Sequence, residues 1–142
     1  MKTVKTVYIN GEFVTPHGTQ MLDLISPVTG QKTAEATLAD EVDTQNAIAA
    51  ARAALKTFSM TTKEERLALL EKLRSVITRR QKDLTDIMVE EYGGTYQFCS
   101  YVSQNAIDDF TAMIDTLKEF EFERTVGHSK LLFQPKGVVG FL

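Results

Sequence analysis

The sequence predicts an α/β chain that is mainly helical, and three observations carry that prediction. Residues 7–38 alternate short β-type runs with turn signals, residues 40–120 carry apolar positions at helical spacing, and residues 137–142 form an apolar run with no polar face. The composition suits a folded chain. Of 142 residues, 43% are hydrophobic and 25% charged, which excludes a disordered chain, a collagen-like chain and a disulfide scaffold. The length fits one domain able to bury a core.

The elements follow in order. Val7-Tyr8-Ile9 and Glu12-Phe13-Val14 flank Asn10-Gly11. That dipeptide signals a hairpin, because both central positions of a type I′ turn need φ > 0. A polar loop, residues 15–20, leads to a second strand over Met21 to Ser26. Pro27 presets the turn Ser26-Pro27-Val28-Thr29, and Gly30 closes it. In the next strand Ala34, Ala36 and Leu38 alternate with Thr33, Glu35 and Thr37, so one face is buried.

From Asp40 the period becomes helical, with Ile48, Ala51, Leu55 and Phe58 on one side. Asp40, Glu41 and Asp43 sit where negative charge complements the helix dipole. A second helix starts at a capping box of Thr62 and Glu65, with Leu69, Leu70, Leu73, Val76 and Ile77 as its apolar face. The polar patch Arg79-Arg80-Gln81-Lys82 predicts a bend or a break before Leu84, Ile87 and Met88, and Gly93-Gly94 a stop. A further helix spans about residues 95–120, with Phe98, Val102, Phe110, Ile114 and Leu117 facing inward.

Leu131-Leu132-Phe133 reads as a strand that Pro135 interrupts. Gly137 to Leu142 has the all-apolar character of a strand covered on both faces, as in a parallel sheet. No later βαβ unit supplies that sheet, so the chain reads as cut short.

Charge and special residues exclude several functions. The balance of 16 basic and 19 acidic residues gives a net charge of −3, with no footprint for nucleic acid or an anionic membrane. A single cysteine, Cys99, allows no intramolecular disulfide and no multi-cysteine zinc site. The first six residues lack the apolar core of a signal peptide, and no run approaches the roughly 20 apolar residues that span a bilayer. A soluble, cytoplasmic protein is expected.

Tyr8-Ile9-Asn10-Gly11-Glu12-Phe13-Val14 followed by Ile25-Ser26-Pro27-Val28-Thr29-Gly30 resembles the opening of the aldehyde dehydrogenase superfamily. There the pattern runs close to Y-I-N-G-E-[WF] and then [IV]-[ND]-P-x-T-G. The likeness continues through Asp40-Glu41-Val42-Asp43, Ala47 to Ala54 and Glu65 to Leu70, and closes with Pro135-Lys136-Gly137-Val138-Val139-Gly140, similar to P-x-G-V-x-G. Order and spacing together carry it across essentially the whole chain.

The resemblance implies NAD(P)⁺-dependent oxidation of an aldehyde to a carboxylic acid. In the family a cysteine thiolate attacks the aldehyde carbon, and an asparagine side chain with the cysteine's backbone N–H holds the oxyanion. Hydride then passes to the nicotinamide, and a glutamate activates the water that releases the acid. None of these groups falls on this chain, so it carries no catalytic residue and is expected to be inactive alone. The family's P-W-N motif, which supplies the oxyanion asparagine, begins just after Leu142, and G-x-T-x-x-G, the glutamate and the nucleophile follow.

The resemblance also divides the chain by role. Residues 1–120 become strands and helices of the cofactor-binding domain, 121–136 a strand segment of the oligomerisation sheet, and 137–142 the incomplete first strand of a Rossmann-like sheet. A homodimer or homotetramer is implied. Leu142 falls where the family touches the nicotinamide side of the cofactor, NAD or NADP. Some members hold a monovalent cation, and the matching ligands here are the Ile25 carbonyl and Glu91, where the family usually has Asp. A solvated helix-end charge is the competing reading of Glu91.

Other residues have plainer readings. Cys99 sits on a predicted helix with no histidine or basic cluster nearby, and packing suits it better than catalysis. His17 and His128 each adjoin a glycine in a loop and read as surface residues. Asp108-Asp109 and Glu90-Glu91 are helix neighbours that do not share a face. Gly137-Val138-Val139-Gly140 is not a dinucleotide fingerprint. The alternative to an enzyme fragment is a standalone helical interaction or regulatory module.

Overall fold

The structure, a computed structural model, describes residues 2–141. The chain divides after Ser59 and again after Lys136 into two compact units.

The first unit opens with β1 (Lys2–Val4), β2 (Val7–Ile9) and β3 (Glu12–Val14), followed by β4 (Met21–Ile25), β5 (Lys32–Thr37) and α1 (Glu41–Phe58). The β2–β3 hairpin turns as expected, with φ of 54° at Asn10 and 85° at Gly11. Tyr8 faces Phe13 in the register, and their rings meet edge to face at 5.0 Å. A three-stranded sheet has the order β1-β5-β4, with β4 antiparallel to β5 and a bulge at Leu24/Ile25. Its tight turn is tied by Ser26, whose Oγ accepts the N–H groups of Val28 and Thr29 at 3.3 and 3.2 Å. Ala34, the buried residue of β5, matches the predicted alternation.

Strand β1 is an addition to the expectation. It pairs parallel to β5, with Lys2 opposite Ala34, and all three of its residues are exposed. Its partner lies some thirty positions away, so no local pattern marks it.

The second unit holds α2 (Lys63–Arg79), α3 (Gln81–Tyr92), α4 (Tyr96–Glu119), β6 (Glu123–Val126) and β7 (Ser129–Leu132). The Thr62–Glu65 capping box is present, with Thr62 Oγ1 accepting the Glu65 N–H at 3.1 Å and Glu65 accepting the Thr62 N–H at 2.8 Å. The predicted interruption is a break. Arg80, at φ −105° and ψ 15°, ends α2 and begins α3. Gly93 then ends α3 in the left-handed region, φ 76°, as its missing Cβ allows.

Helix α4 runs antiparallel to α2 and α3, joined by Arg74 to Thr111, Gln81 to Gln104 and Thr85 to Ser103. Its buried line is Cys99, Ser103 and Ile114, while Phe98, predicted inside, is 46% exposed. In α2, Leu70 and Ile77 are half-buried, whereas Leu69, Leu73 and Val76 of the same predicted face are exposed. An apolar stripe wider than one neighbour can cover leaves its flank in solvent.

Strands β6 and β7 form an antiparallel hairpin that turns at Gly127, φ 60°, and all eight of its strand residues are exposed. The ladder reaches one step past β7, where the Phe133 N–H donates to the Phe122 carbonyl at 2.8 Å. Residues 133–141 carry no strand, including the described part of the run expected as one. A strand exists through its ladder, and a parallel neighbour requires a crossover connection.

Among the described residues, no helix is long and apolar enough to cross a membrane.

Candidate functional site

The most built polar cluster lies in the first unit, where the 15–20 loop meets the N-terminus of α1. Asp40 caps α1, and its carboxylate accepts the N–H groups of Val42 at 2.9 Å and Asp43 at 3.2 Å. Asp43 returns the bond from the Asp40 N–H at 3.0 Å, completing a capping box built from two aspartates. The same Asp43 carboxylate reaches across to the loop. It accepts the His17 N–H at 2.8 Å and the Gly18 N–H at 3.1 Å. Asp43 is buried, at 5% exposure, and these backbone donors replace the water it loses.

His17 adds a side-chain contact, its Nδ1 lying 2.6 Å from Asp40 Oδ2. That hydrogen bond and the Asp40 charge raise the His17 pKa above the usual 6.5. His17 in turn lowers the pKa of Asp40 below 3.8. The backbone N–H groups of His17 and Asp40 hold Asp43 low as well. An open cleft of about 460 Å³ adjoins the cluster, lined in part by Asn10, Glu12, Thr15, His17, Asp43 and Asn46. Asp43 holds a loop by its backbone, and the cluster presents neither a nucleophile nor a metal-binding set. Among the described residues, no group of three or more His, Cys, Asp or Glu could hold a metal ion.

In the sequence Asp43 reads as dipole-matching charge and as part of the family-like run Asp40-Glu41-Val42-Asp43. The signal for more was its spacing: an acid three residues after an acidic N-cap can bond back to the cap's N–H.

The residues carried over from the resemblance are Ile25, Glu91 and Leu142. Ile25 ends β4 beside the bulge, 53% exposed and paired in register with Lys32. Glu91 lies two residues before Gly93 on the last turn of α3, exposed, and belongs to the second unit. Leu142 lies outside the described residues. A Cβ built on Gly140 meets nothing within 4 Å, and Phe141 is fully exposed.

Cys99 is fully buried on α4. Its N–H donates to the Thr95 carbonyl at 3.0 Å, and its carbonyl accepts from Ser103 Oγ at 3.0 Å. Thr85 Oγ1 and Ser103 Oγ, 2.7 Å apart, complete a buried polar contact between α3 and α4. With no exposed surface, the thiol is a packing group.

Comparison with known proteins gives a consistent result. The sequence pattern of the aldehyde dehydrogenase family matches residues 13–142. A 3-succinoylsemialdehyde-pyridine dehydrogenase of a Pseudomonas species is 26% identical over 144 residues, covering 100% of this chain and 30% of the relative. The crystal structure of an aldehyde dehydrogenase from Bartonella henselae superposes with a TM-score of 0.86 at 26% identity, covering 91% of this chain and 28% of that one. A mutant of aldehyde dehydrogenase C from Pseudomonas syringae, solved with NAD⁺ and octanal, gives a TM-score of 0.84 at 23% identity, covering 87% of this chain and 26% of the other. The chain thus spans about 30% of the length of the curated relatives it matches.

Proposed function

The chain belongs to the aldehyde dehydrogenase family, and from that premise we propose that it is the N-terminal scaffold of an NAD(P)⁺-dependent enzyme that oxidises an aldehyde to a carboxylic acid. The observation that carries the proposal is the ordered match over residues 13–142, joined to a TM-score of 0.86 against a solved family member. The nucleophilic cysteine, the oxyanion asparagine and the water-activating glutamate are supplied from outside residues 1–142. The nicotinamide cofactor, NAD or NADP, accepts the hydride when bound.

Within this reading the chain's own residues build and place. Residues 1–120 furnish strands and helices of the cofactor-binding domain. Residues 121–136 lend the β6–β7 hairpin to the sheet that joins subunits into a homodimer or homotetramer. Its eight exposed strand residues and open edges suit that role. Residues 137–142, which carry no strand among the described residues, become the first strand of the Rossmann-like sheet once the complete polypeptide supplies its neighbour, and Leu142 is the position at which the resemblance implies cofactor contact. The Ile25 carbonyl and Glu91 are the positions at which the family resemblance implies ligands for a monovalent cation. The enzyme works in the cytoplasm, with no role for nucleic acid or membrane.

The exposed apolar residues Leu69, Leu73, Val76, Leu84 and Ile87 favour one other reading, a module that docks on a full-length relative. The coding frame past codon 142 separates the two. Pro-Trp-Asn within a few codons, followed by a glycine-rich loop, Glu and Cys, supports the dehydrogenase. A stop codon there supports the module.

A further inference from the structure

A two-stranded hairpin is marginal by itself in water, and β6–β7 buries none of its strand residues. Something at its base must hold it. The last carbonyls of a helix have no partner within the helix, and those at the end of α4 find one on another helix. Lys63, the first residue of α2, donates from Nζ to the carbonyls of Lys118 and Phe120, the latter at 3.1 Å. A cation at a helix C-terminus also meets the negative end of the dipole.

Directly beyond this contact the rings of Phe120, Phe122 and Phe133 gather. Phe120 meets Phe122 at 4.9 Å and Phe133 at 5.2 Å, both edge to face. Arg66, one turn along α2 from Lys63, lays its guanidinium over Phe122 at 5.5 Å from the ring centre. The Phe133 N–H to Phe122 carbonyl bond closes the base of the hairpin between these rings. One end of the antiparallel α2–α4 pair therefore grips both strands where they emerge.

We propose that Lys63, seated on the α4 C-terminus above the Phe120–Phe122–Phe133 cluster, is a positioning residue that fixes the β6–β7 hairpin as a rigid edge for pairing with a second copy of this chain. The pairing half of the statement rests on the subunit-joining role of residues 121–136. The positioning half stands on the contacts alone. Lys63 is suited to testing because it occupies the first turn of α2 without being its cap, and alanine keeps high helix propensity there.

The test is hydrogen exchange of the complete polypeptide carrying Lys63→Ala or Lys63→Arg, read with the oligomeric state by light scattering. Lys63→Ala is expected to speed exchange of the hairpin amides, residues 123–133, by about tenfold, as loss of a charge-assisted bond implies. Lys63→Arg restores most of the protection, and amides around Cys99 to Ile114 stay protected in both. Unchanged hairpin exchange in Lys63→Ala overturns the positioning role. A rise spread equally along α4 overturns it too, because Lys63 would then be a general stabiliser. Weaker subunit association with faster hairpin exchange supports the whole proposal. Faster exchange with association unchanged overturns the pairing half alone and leaves the subunit-joining role of residues 121–136 standing, because a loosened hairpin then still pairs.

Discussion

Asp43 accepts the backbone N–H of His17 at 2.8 Å, so a carboxylate in the first turn of α1 holds a loop 26 positions earlier in the chain. The neighbouring Gly18 shows how close that loop runs. A Cβ placed there would come 2.2 Å from the Leu38 carbonyl oxygen. Asp43→Ala leaves the N–H groups of His17, Gly18 and Asp40 without their acceptor. It is expected to lower Tm more than Asp40→Ala, whose lost bonds lie at an exposed helix end. Gly18→Ala should cost about 1–3 kcal/mol, because backbone must move to admit the methyl group. Thermal melts of the three variants check the order, and an Asp43→Ala protein as stable as the parent would contradict it.

The His17–Asp40 contact gives a pH dependence of known sign. His17 titrates above 6.5, so the stability it contributes is full below 6.5 and is lost as pH rises through the raised value. Asp40 and Asp43 titrate below 3.8, so their contribution is present above that value and is lost as pH falls through the lowered ones. Proton NMR of the His17 ring should place its midpoint above 6.5, and Asp40→Asn should bring it down. A midpoint unmoved by Asp40→Asn would show that the pair does not form in solution.

Cys99 is fully buried on α4, and a thiol reagent should modify it only after unfolding. Cys99→Ala is expected to cost about 1 kcal/mol through the small cavity it leaves. Ile114→Ala, on the same buried line, should cost about 2–5 kcal/mol. Denaturant unfolding of both variants measures the difference. Rapid labelling of the native protein at Cys99 would contradict the packing role.

Much of this fold is written in local signals. Asn10-Gly11, the Thr62–Glu65 box and Gly93 each fix a backbone conformation through their own chemistry, and each sits where the sequence placed it. Long-range features left no such mark. Among the described residues strand β1 takes its ladder from β5, and Asp43 is bonded by a loop some 25 positions away. Periodicity located the helices but not which flank of a wide stripe is covered, so Ile77 is half-buried where Leu73 is exposed. The candidate site was the least legible part, since Ile25, Glu91 and Leu142 follow from resemblance to the family and not from any local pattern.

The exposed flank has its own consequence. Leu69 at 44%, Leu73 at 49% and Ile87 at 43% exposure leave apolar surface on α2 and α3. Residues 1–142 prepared alone should therefore associate or bind a hydrophobic dye, and Leu73→Glu should reduce both. A compact, sharply melting monomer by light scattering and calorimetry would contradict this expectation.

The most direct test of the central claim is nicotinamide reduction with an aldehyde, measured for residues 1–142 alone and for the complete polypeptide, each with and without Cys99→Ala. The scaffold reading predicts turnover by the complete polypeptide with or without the substitution, and none by residues 1–142. Turnover by residues 1–142 that disappears with Cys99→Ala would contradict it, because the chemistry would then reside in this segment.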